Sequence, residues 1–429
     1  MLTALTLTRF KSFSDTRNKL SLGQLSLIIG TNASGKSNLR DGLRFIHGIS
    51  RGYSLAEVIG EKYIEGGVLQ WKGIRGGVRE TVLRNGGPQG TQFSLSVESI
   101  LAVDNRKATY SITVDVGDKE HPPFVAAESL IVEGKGKFIF HTQPDGEDLN
   151  ELPNQRKIFA QVRKEARAGF SGPKLDFRRD QPILSQICDH SETKKLPAAR
   201  EYVTQFLQTI ASIRFLDLEP PALRRPSIPG QTILGDKGEN LSSVLQAICA
   251  DKKRREALIE WTRELTPLDV IDFRFPDVSL EGKIQLQLVE AGGREISAES
   301  ASDGTLRFLA FAAALLGTDP ARCYFFEEME NGIHPNRAYL LIQLLKTATK
   351  DGTIQVIGTT HSPSLLNFLD DAALHDASLV YRADGKSKVR SFRDLPDLWK
   401  IHQTSSAGQL HSSGWFENAA TFLEGDDQP

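Results

Sequence analysis

The sequence predicts an α/β fold: a parallel-sheet core, an antiparallel β-lobe and a helical insert. Three observations carry this reading. An almost wholly apolar run, Leu25 to Ile29, ends at a glycine and leads into a helical pattern from Gly35 to about Gly48. Short alternating runs separated by Gly, Pro, Asn and Asp occupy Val78 to Phe140. Towards the C-terminus, apolar strands alternate with helical patterns, the rhythm of a parallel sheet covered on both faces.

Residues 2 to 10 alternate apolar and polar side chains and read as the first strand. FSLSVES, YSITVDV and KFIFHT then read as strands of an antiparallel sheet on the N-terminal lobe, residues 1–142. Residues 143–219 are polar and compatible with helix. They carry a basic run from Arg156 to Arg179 that includes Lys157, Arg163, Lys164, Arg167, Lys174 and Arg178, and they read as an inserted helical subdomain. Pro220 to Gly230, with four prolines, is no regular helix and connects the insert back to the core. In the C-terminal half, residues 220–396, helices are expected around Leu241 to Leu265, Thr305 to Leu316 and Arg337 to Thr349. Strands are expected at Val270 to Phe273, Ile284 to Val289, Cys323 to Phe326 and Ile354 to Thr359. Residues 397–429 form a tail.

The 429 residues are enough to bury a sizeable core, so no staple is required. Lys and Arg number 52 against 54 for Asp and Glu, which excludes a uniformly basic DNA-coating body and leaves only a local patch for nucleic acid. Cys188, Cys249 and Cys323 lie far apart with no C-x-x-C pair, so neither a disulfide framework nor a cysteine-rich zinc site is expected, and a reducing cytoplasm fits. The N-terminus lacks the apolar stretch of a signal peptide and no run reaches membrane-spanning length, so no membrane association is expected.

The strongest motif is Gly30-Thr-Asn-Ala-Ser-Gly35-Lys36-Ser37, a full G-x-x-x-x-G-K-S between a strand and a helix. Its glycines let backbone N–H groups wrap phosphates, and the helix N-terminus adds partial positive charge. Lys36 neutralises the β/γ oxygens and Ser37 holds Mg²⁺. Gly30, Asn32, Ala33, Ser34, Gly35, Lys36, Ser37 and Asn38 are therefore the candidate ATP-binding residues. Near the other end, the apolar strand Tyr324-Phe325-Phe326 runs into Glu327-Glu328. Adjacent residues of a strand point opposite ways, so the two carboxylates take separate roles: Glu327 for Mg²⁺ and Glu328 for the attacking water.

These motifs, read with Arg9 to Phe13, Ser302-Asp303-Gly304-Thr305, Glu330 to Pro335 and Thr359-Thr360-His361-Ser362-Pro363, resemble the RecF/SMC/OLD-like branch of ABC-type AAA ATPases. The resemblance covers residues 1 to about 140 and about 213 to 396, and it implies an ABC-type P-loop ATPase head. It makes Ser302, Gly304 and Thr305 the signature segment that meets the γ-phosphate held by an opposite subunit. It also makes Glu330 to Pro335 the D-loop and His361 the switch histidine. Glu327 stands where the family usually has aspartate, and Met329 follows the carboxylates where proline is usual. The Q-loop glutamine stays open among Gln143, Gln181 and Gln186.

The resemblance implies ATP and Mg²⁺ as cofactors and a homodimer or higher homo-oligomer closed by sandwiched nucleotide. The insert is too short for a coiled-coil rod, and the residues after Asp394 are too few for a TOPRIM nuclease. The chain therefore resembles the ATPase subunits of anti-phage systems such as PARIS and Septu. On that reading it is a sensor and scaffold that controls a separate effector, a TOPRIM or HNH nuclease or a toxin, in response to DNA or a phage protein. The alternative is a RecF-like ATPase that binds DNA through the basic insert.

Overall fold

A computed structural model describes the chain apart from residues 16–17, 84–89, 119–120, 135–137, 144–155, 164–171, 267, 396, 403 and 427–429. Its strands, in chain order, are β1 (Leu2–Thr8), β2 (Asn18–Ser21), β3 (Leu25–Ile29), β4 (Lys62–Ile64), β5 (Val68–Trp71), β6 (Gln92–Ile100), β7 (Lys107–Asp115), β8 (Phe124–Val132), β9 (Phe140–His141), β10 (Lys157–Val162) and β11 (Lys174–Arg178). They continue with β12 (Ile213–Leu216), β13 (Val270–Arg274), β14 (Gln287–Glu290), β15 (Glu295–Ser297), β16 (Cys323–Phe326), β17 (Gln355–Thr360), β18 (Ser378–Ala383) and β19 (Lys386–Ser391). The chain forms two compact units.

The first unit comprises Met1–Gly23, Gly30–Ser212 and Ser378–Ser391. Its largest element is an eight-stranded sheet in the order β11-β10-β9-β8-β7-β6-β1-β2. β6 and β7 bury every second residue, so Phe93, Leu95 and Val97 face inward opposite Val114, Ile112 and Tyr110. On this face lies the helix Lys36–Ser50. Phe45 of that helix meets Phe93 edge-on at 5.4 Å between ring centroids, and a Cβ on Gly42 would come within 2.8 Å of Leu7, so this glycine permits the close approach. Asp41, almost wholly buried on the same helix, is clamped by Lys11 at 2.8 Å and Arg75 at 3.0 Å. β18 and β19 form a hairpin whose turn residues, Asp384 and Gly385, both have positive φ, as a tight two-residue turn requires.

The structure corrects the expectation of a helical insert at 143–219. Residues 157–162 and 174–178 are strands β10 and β11, paired with each other and with β9 as an extension of the antiparallel sheet. KIFAQV and KLDFR alternate inward apolar residues with outward residues that are polar apart from Phe159, and this period-two pattern outweighs the basic, helix-compatible composition. Helix does occupy Ile183–Gln186 and Pro197–Ala211. Lys164 and Arg167 of the basic run lie outside the described residues, as does Lys137 of the expected strand KFIFHT, where only Phe140–His141 pairs.

The second unit comprises Gln24–Ile29, Ile213–Ala377 and Phe392–Pro429. Its core is the parallel array β12-β16-β17-β3, whose inner strands are buried along their whole length. Phe326 pairs with Gly358 and Ile29 with Thr360, so β16, β17 and β3 end on the same edge of the sheet. Helices Asp303–Leu315 and Ala338–Thr349 bury long apolar faces. The expected helical stretch from 241 to 265 is two helices, Leu241–Cys249 and Lys252–Leu265, the second capped by Asp251. The proline-rich connector contains a single turn of helix, Pro220–Leu223, with its prolines in the first turn. The strand expected from Ile284 starts at Gln287, and Ile284 itself bridges to Ser227 and Asp277.

Candidate functional site

The phosphate loop in the first unit follows directly from the last residue of β3. Ala33 and Gly35 have φ of 62° and 121°, and Gly35 is the N-cap of the helix Lys36–Ser50 with no side-chain cap. That N-terminus has no side-chain cap and its first turn carries no acidic residue, a setting that suits an anion. Glycine is obligatory at both ends of the loop. A Cβ on Gly30 would lie 2.2 Å from the Val380 carbonyl oxygen, and one on Gly35 would lie 2.4 Å from Ser387 Oγ. Lys36 Nζ curls back to donate to the carbonyls of Gly30 (2.5 Å) and Thr31 (2.9 Å).

Beneath the loop is a net of short polar side chains that the motif does not announce. Ser387 Oγ of β19, fully buried, donates to the Ser34 carbonyl at 2.5 Å and lies 2.7 Å from Ser12 Oγ. Asn38 Nδ2 donates to the same Ser12 hydroxyl at 2.6 Å. Ser34 Oγ is buried without a hydrogen-bond partner. Asn32 is exposed and Ser37 half-buried.

The second unit holds Glu327-Glu328, the segment Ser302–Thr305, the loop Glu330–Pro335 and His361. β16 stops at Phe326, so Glu327 and Glu328 lie beyond the strand and strand alternation does not separate them, contrary to expectation. Glu328 instead has φ of +45°, a left-handed backbone unusual for a non-glycine residue. Its N–H donates to Thr359 Oγ1 at 2.9 Å, its carbonyl accepts from Asn331 N–H at 3.0 Å, and its carboxylate Oε2 accepts from Asn331 Nδ2. Glu328 is exposed, whereas Glu327 is half-buried.

His361 follows the end of β17. Its N–H donates to Glu330 Oε1 at 2.8 Å, and its Nδ1 lies 3.1 Å from the same oxygen but out of hydrogen-bond alignment. Glu330 Oε2 is buried without a partner.

Ser302 is the N-cap of the helix Asp303–Leu315: its hydroxyl accepts from Thr305 N–H at 3.2 Å and lies 2.8 Å from the Thr305 hydroxyl. When Thr305 Oγ1 is the donor of that second contact, the Ser302 hydroxyl keeps its own proton for an anion, so capping and anion binding are compatible. Asp303, in the first turn, is neutralised by Arg224 at 2.6 Å. Gly304 faces the Glu330–Pro335 loop so closely that a Cβ would sit 2.3 Å from the Gly332 carbonyl oxygen.

Arg307 and Ser387 were not singled out by their residue patterns, whereas Asn331 lies within the expected Glu330 to Pro335 stretch. Arg307 carried one signal, a lone cation in the otherwise apolar run from Leu306 to Leu316. Of the glutamines left open, Gln186 spends its amide on Arg178 and Gln181 main chain, and Gln181 on Gly52 and Ser185.

Among the described residues no group of three or more His, Cys, Asp or Glu forms a metal cage. No helix among the described residues is long and apolar enough to cross a membrane.

Comparison with known proteins places this geometry. An ATP/GTP phosphatase of Helicobacter pylori is 22% identical over 383 residues, covering 86% of this chain and 88% of the relative. The SMC head bound to the C-winged helix domain of ScpA superposes with a TM-score of 0.50 at 16% identity, covering 91% of this chain and 97% of that chain, and the fold is that of an ABC-type P-loop ATPase head. An SMC head from Thermotoga maritima aligns with a TM-score of 0.41 at 14% identity over 91% of this chain and 98% of that one, too loosely to add to the argument. The family model "AAA domain, putative AbiEii toxin, Type IV TA system" matches residues 25–367, so the chain belongs to this AAA family and is an ATPase.

Proposed function

We propose that two copies of this chain sandwich ATP and Mg²⁺ head to head, and that hydrolysis reopens the pair to control a partner effector in anti-phage defence. The observation that carries the reading is a second anion-ready helix N-terminus. A one-subunit ATPase needs the phosphate loop and its carboxylates. This chain also has the Ser302-capped helix, whose N-terminus is available to a γ-phosphate held elsewhere.

In this scheme Lys36 and the Gly30–Ser37 main chain bind the phosphates. Bound Mg²⁺ supplies charge neutralisation between the phosphate oxygens. Ser37 and Glu327 would hold that ion, Glu328 would orient and deprotonate the attacking water, and His361 would sense the γ-phosphate. Ser302, Gly304 and Thr305 complete the partner copy's site, so binding energy for ATP becomes dimerisation energy.

The defence reading draws support from the family description, which names a toxin system, and the SMC head relative is itself bound to a partner protein. The repair alternative relies on a free basic patch. Among the described residues of the basic run, Lys157 pairs with Asp176 at 2.6 Å and Arg178 with Asp180 at 2.6 Å, while Lys174 lies over the Phe159 ring. The pairing of Lys157 and Arg178 with neighbouring carboxylates weakens the case for a phosphate backbone there.

The test is the mass of the Glu328→Gln protein with and without ATP and Mg²⁺, alone and with short duplex DNA. ATP-dependent doubling without DNA supports the sandwich and the scaffold role. Assembly only with DNA replaces the defence reading with the repair one, and a monomer under every condition overturns the sandwich.

A further inference from the structure

We infer that Arg307 and Asn331 form a relay by which the signature helix sets the position of the Glu328 carboxylate. The inference rests on the reading of Glu328 as the group that activates water, and it adds two positioning residues to that site.

The relay has three links, all within the second unit. Arg307 projects from the helix Asp303–Leu315, one turn past its Ser302 cap, and is buried although it is a cation. Its guanidinium donates through Nε to the Leu218 carbonyl at 2.9 Å and through Nη1 to the Asn331 carbonyl at 2.8 Å. Asn331 then donates its side-chain Nδ2 to Glu328 Oε2. A guanidinium is a planar fork, so two acceptors held by one fork are held at a fixed separation.

The geometry makes the relay more than general packing. The left-handed backbone of Glu328 is not a conformation that glutamate prefers, so the turn Glu328–Asn331 needs outside support to keep it. That support comes from Thr359 on one side and Asn331 on the other. Arg307 spends its donors on main chain, and its charge is felt by Asp217, Glu328, Asp303 and Glu330, in that order. Burial of such a cation costs free energy, and the carbonyls of Leu218 and Asn331 compensate it only while the D-loop stays in place. Gly304, against the Gly332 carbonyl, fixes the same loop sterically. A displacement of the signature helix would thus move Asn331, and with it the acceptor geometry of Glu328.

The experiment is a double-mutant cycle on steady-state ATP hydrolysis, with ATP affinity and Tm measured alongside. The variants are Asn331→Ala, Arg307→Ala, Arg307→Lys, Glu328→Gln, and the first two combined with Glu328→Gln. Asn331→Ala is expected to lower kcat about tenfold with KM for ATP within about twofold, and Arg307→Ala by a similar factor or more. Arg307→Lys, which keeps the charge and one donor, is expected to recover part of the loss. In the Glu328→Gln background neither alanine should lower the residual rate further.

If Asn331→Ala hydrolyses ATP at the wild-type rate while Glu328→Gln is inactive, the relay is wrong and the role of Glu328 stands. If Glu328→Gln itself hydrolyses normally, the reading of the base fails. Losses that multiply in the double variants assign Arg307 and Asn331 to packing alone. Asn331 is only half-buried, so its variant decides the matter even where Arg307→Ala does not fold.

Discussion

The phosphate loop and the carboxylate loop are built by different means. The phosphate loop is made of main chain: positive φ at Ala33 and Gly35, glycines that no side chain could replace, and a net of serines that holds carbonyls from beneath. The carboxylate loop is made of side chains: Glu328 is kept in an unfavourable backbone region by Thr359 and Asn331, and Asn331 by Arg307. A main-chain cradle is rigid and suits an invariant ligand such as a row of phosphates. A side-chain relay has several torsions and suits a group whose placement has to change through a cycle.

The sharpest break between the two is expected at Lys36. Lys36→Ala removes the one cation of the phosphate loop and should abolish ATP binding, lowering kcat/KM by about 1000-fold. Isothermal titration with ATP checks it: affinity within tenfold of wild type would show that Lys36 is not a phosphate ligand.

Glu328→Gln should separate turnover from binding. The amide keeps the shape but accepts no proton, so kcat should fall about 100-fold while ATP affinity stays near wild type. Stopped single-turnover measurements distinguish this from slow product release. A parallel loss of affinity would mean that Glu328 contacts nucleotide or metal directly.

Ser387→Ala adds no volume and deletes the hydroxyl that ties β19 to the Ser34 carbonyl. The loss of a buried hydrogen bond is worth about 1 kcal/mol, so KM for ATP should rise roughly fivefold with kcat little changed. A change in kcat with unaltered KM would remove Ser387 from the support of the loop.

The contrast also explains what could be read from residues alone. The phosphate loop was legible because its constraints are local: eight consecutive residues contain both the glycines and the ligands, and β3 and the helix Lys36–Ser50 appeared where expected. The separate placement of Glu327 and Glu328 was read through strand alternation. The structure shows a strand that ends at Phe326 and a turn held by Asn331 and Thr359, and neither is implied by the carboxylates themselves. Arg307 and Ser387 work through partners dozens to hundreds of residues away, a relation that no local pattern encodes. The strands β10 and β11 were obscured by composition, because lysines and arginines on an exposed sheet face look like those on a helix.

The smallest effect on turnover is expected at a buried carboxylate outside both loops. Glu128 on β8 accepts from Tyr110 Oη at 2.9 Å, Leu184 N–H at 2.8 Å and Ile183 N–H at 2.7 Å, tying the sheet to the start of the helix Ile183–Gln186. Burial pushes its carboxyl up from 4.5 to about 7, and the three donors only partly oppose this. The folded protein therefore binds a proton more tightly than the unfolded chain. Stability from this group is fullest below pH 4.5, declines as pH rises through 7, and is constant above, a span of about 3 kcal/mol. Glu128→Gln cannot titrate and should flatten that decline, so the fall in Tm between pH 5 and 8 should be smaller in the variant, with kcat unchanged at neutral pH. Equal slopes in the two proteins would mean that Glu128 is ionised throughout, held as a carboxylate by its three donors despite its burial.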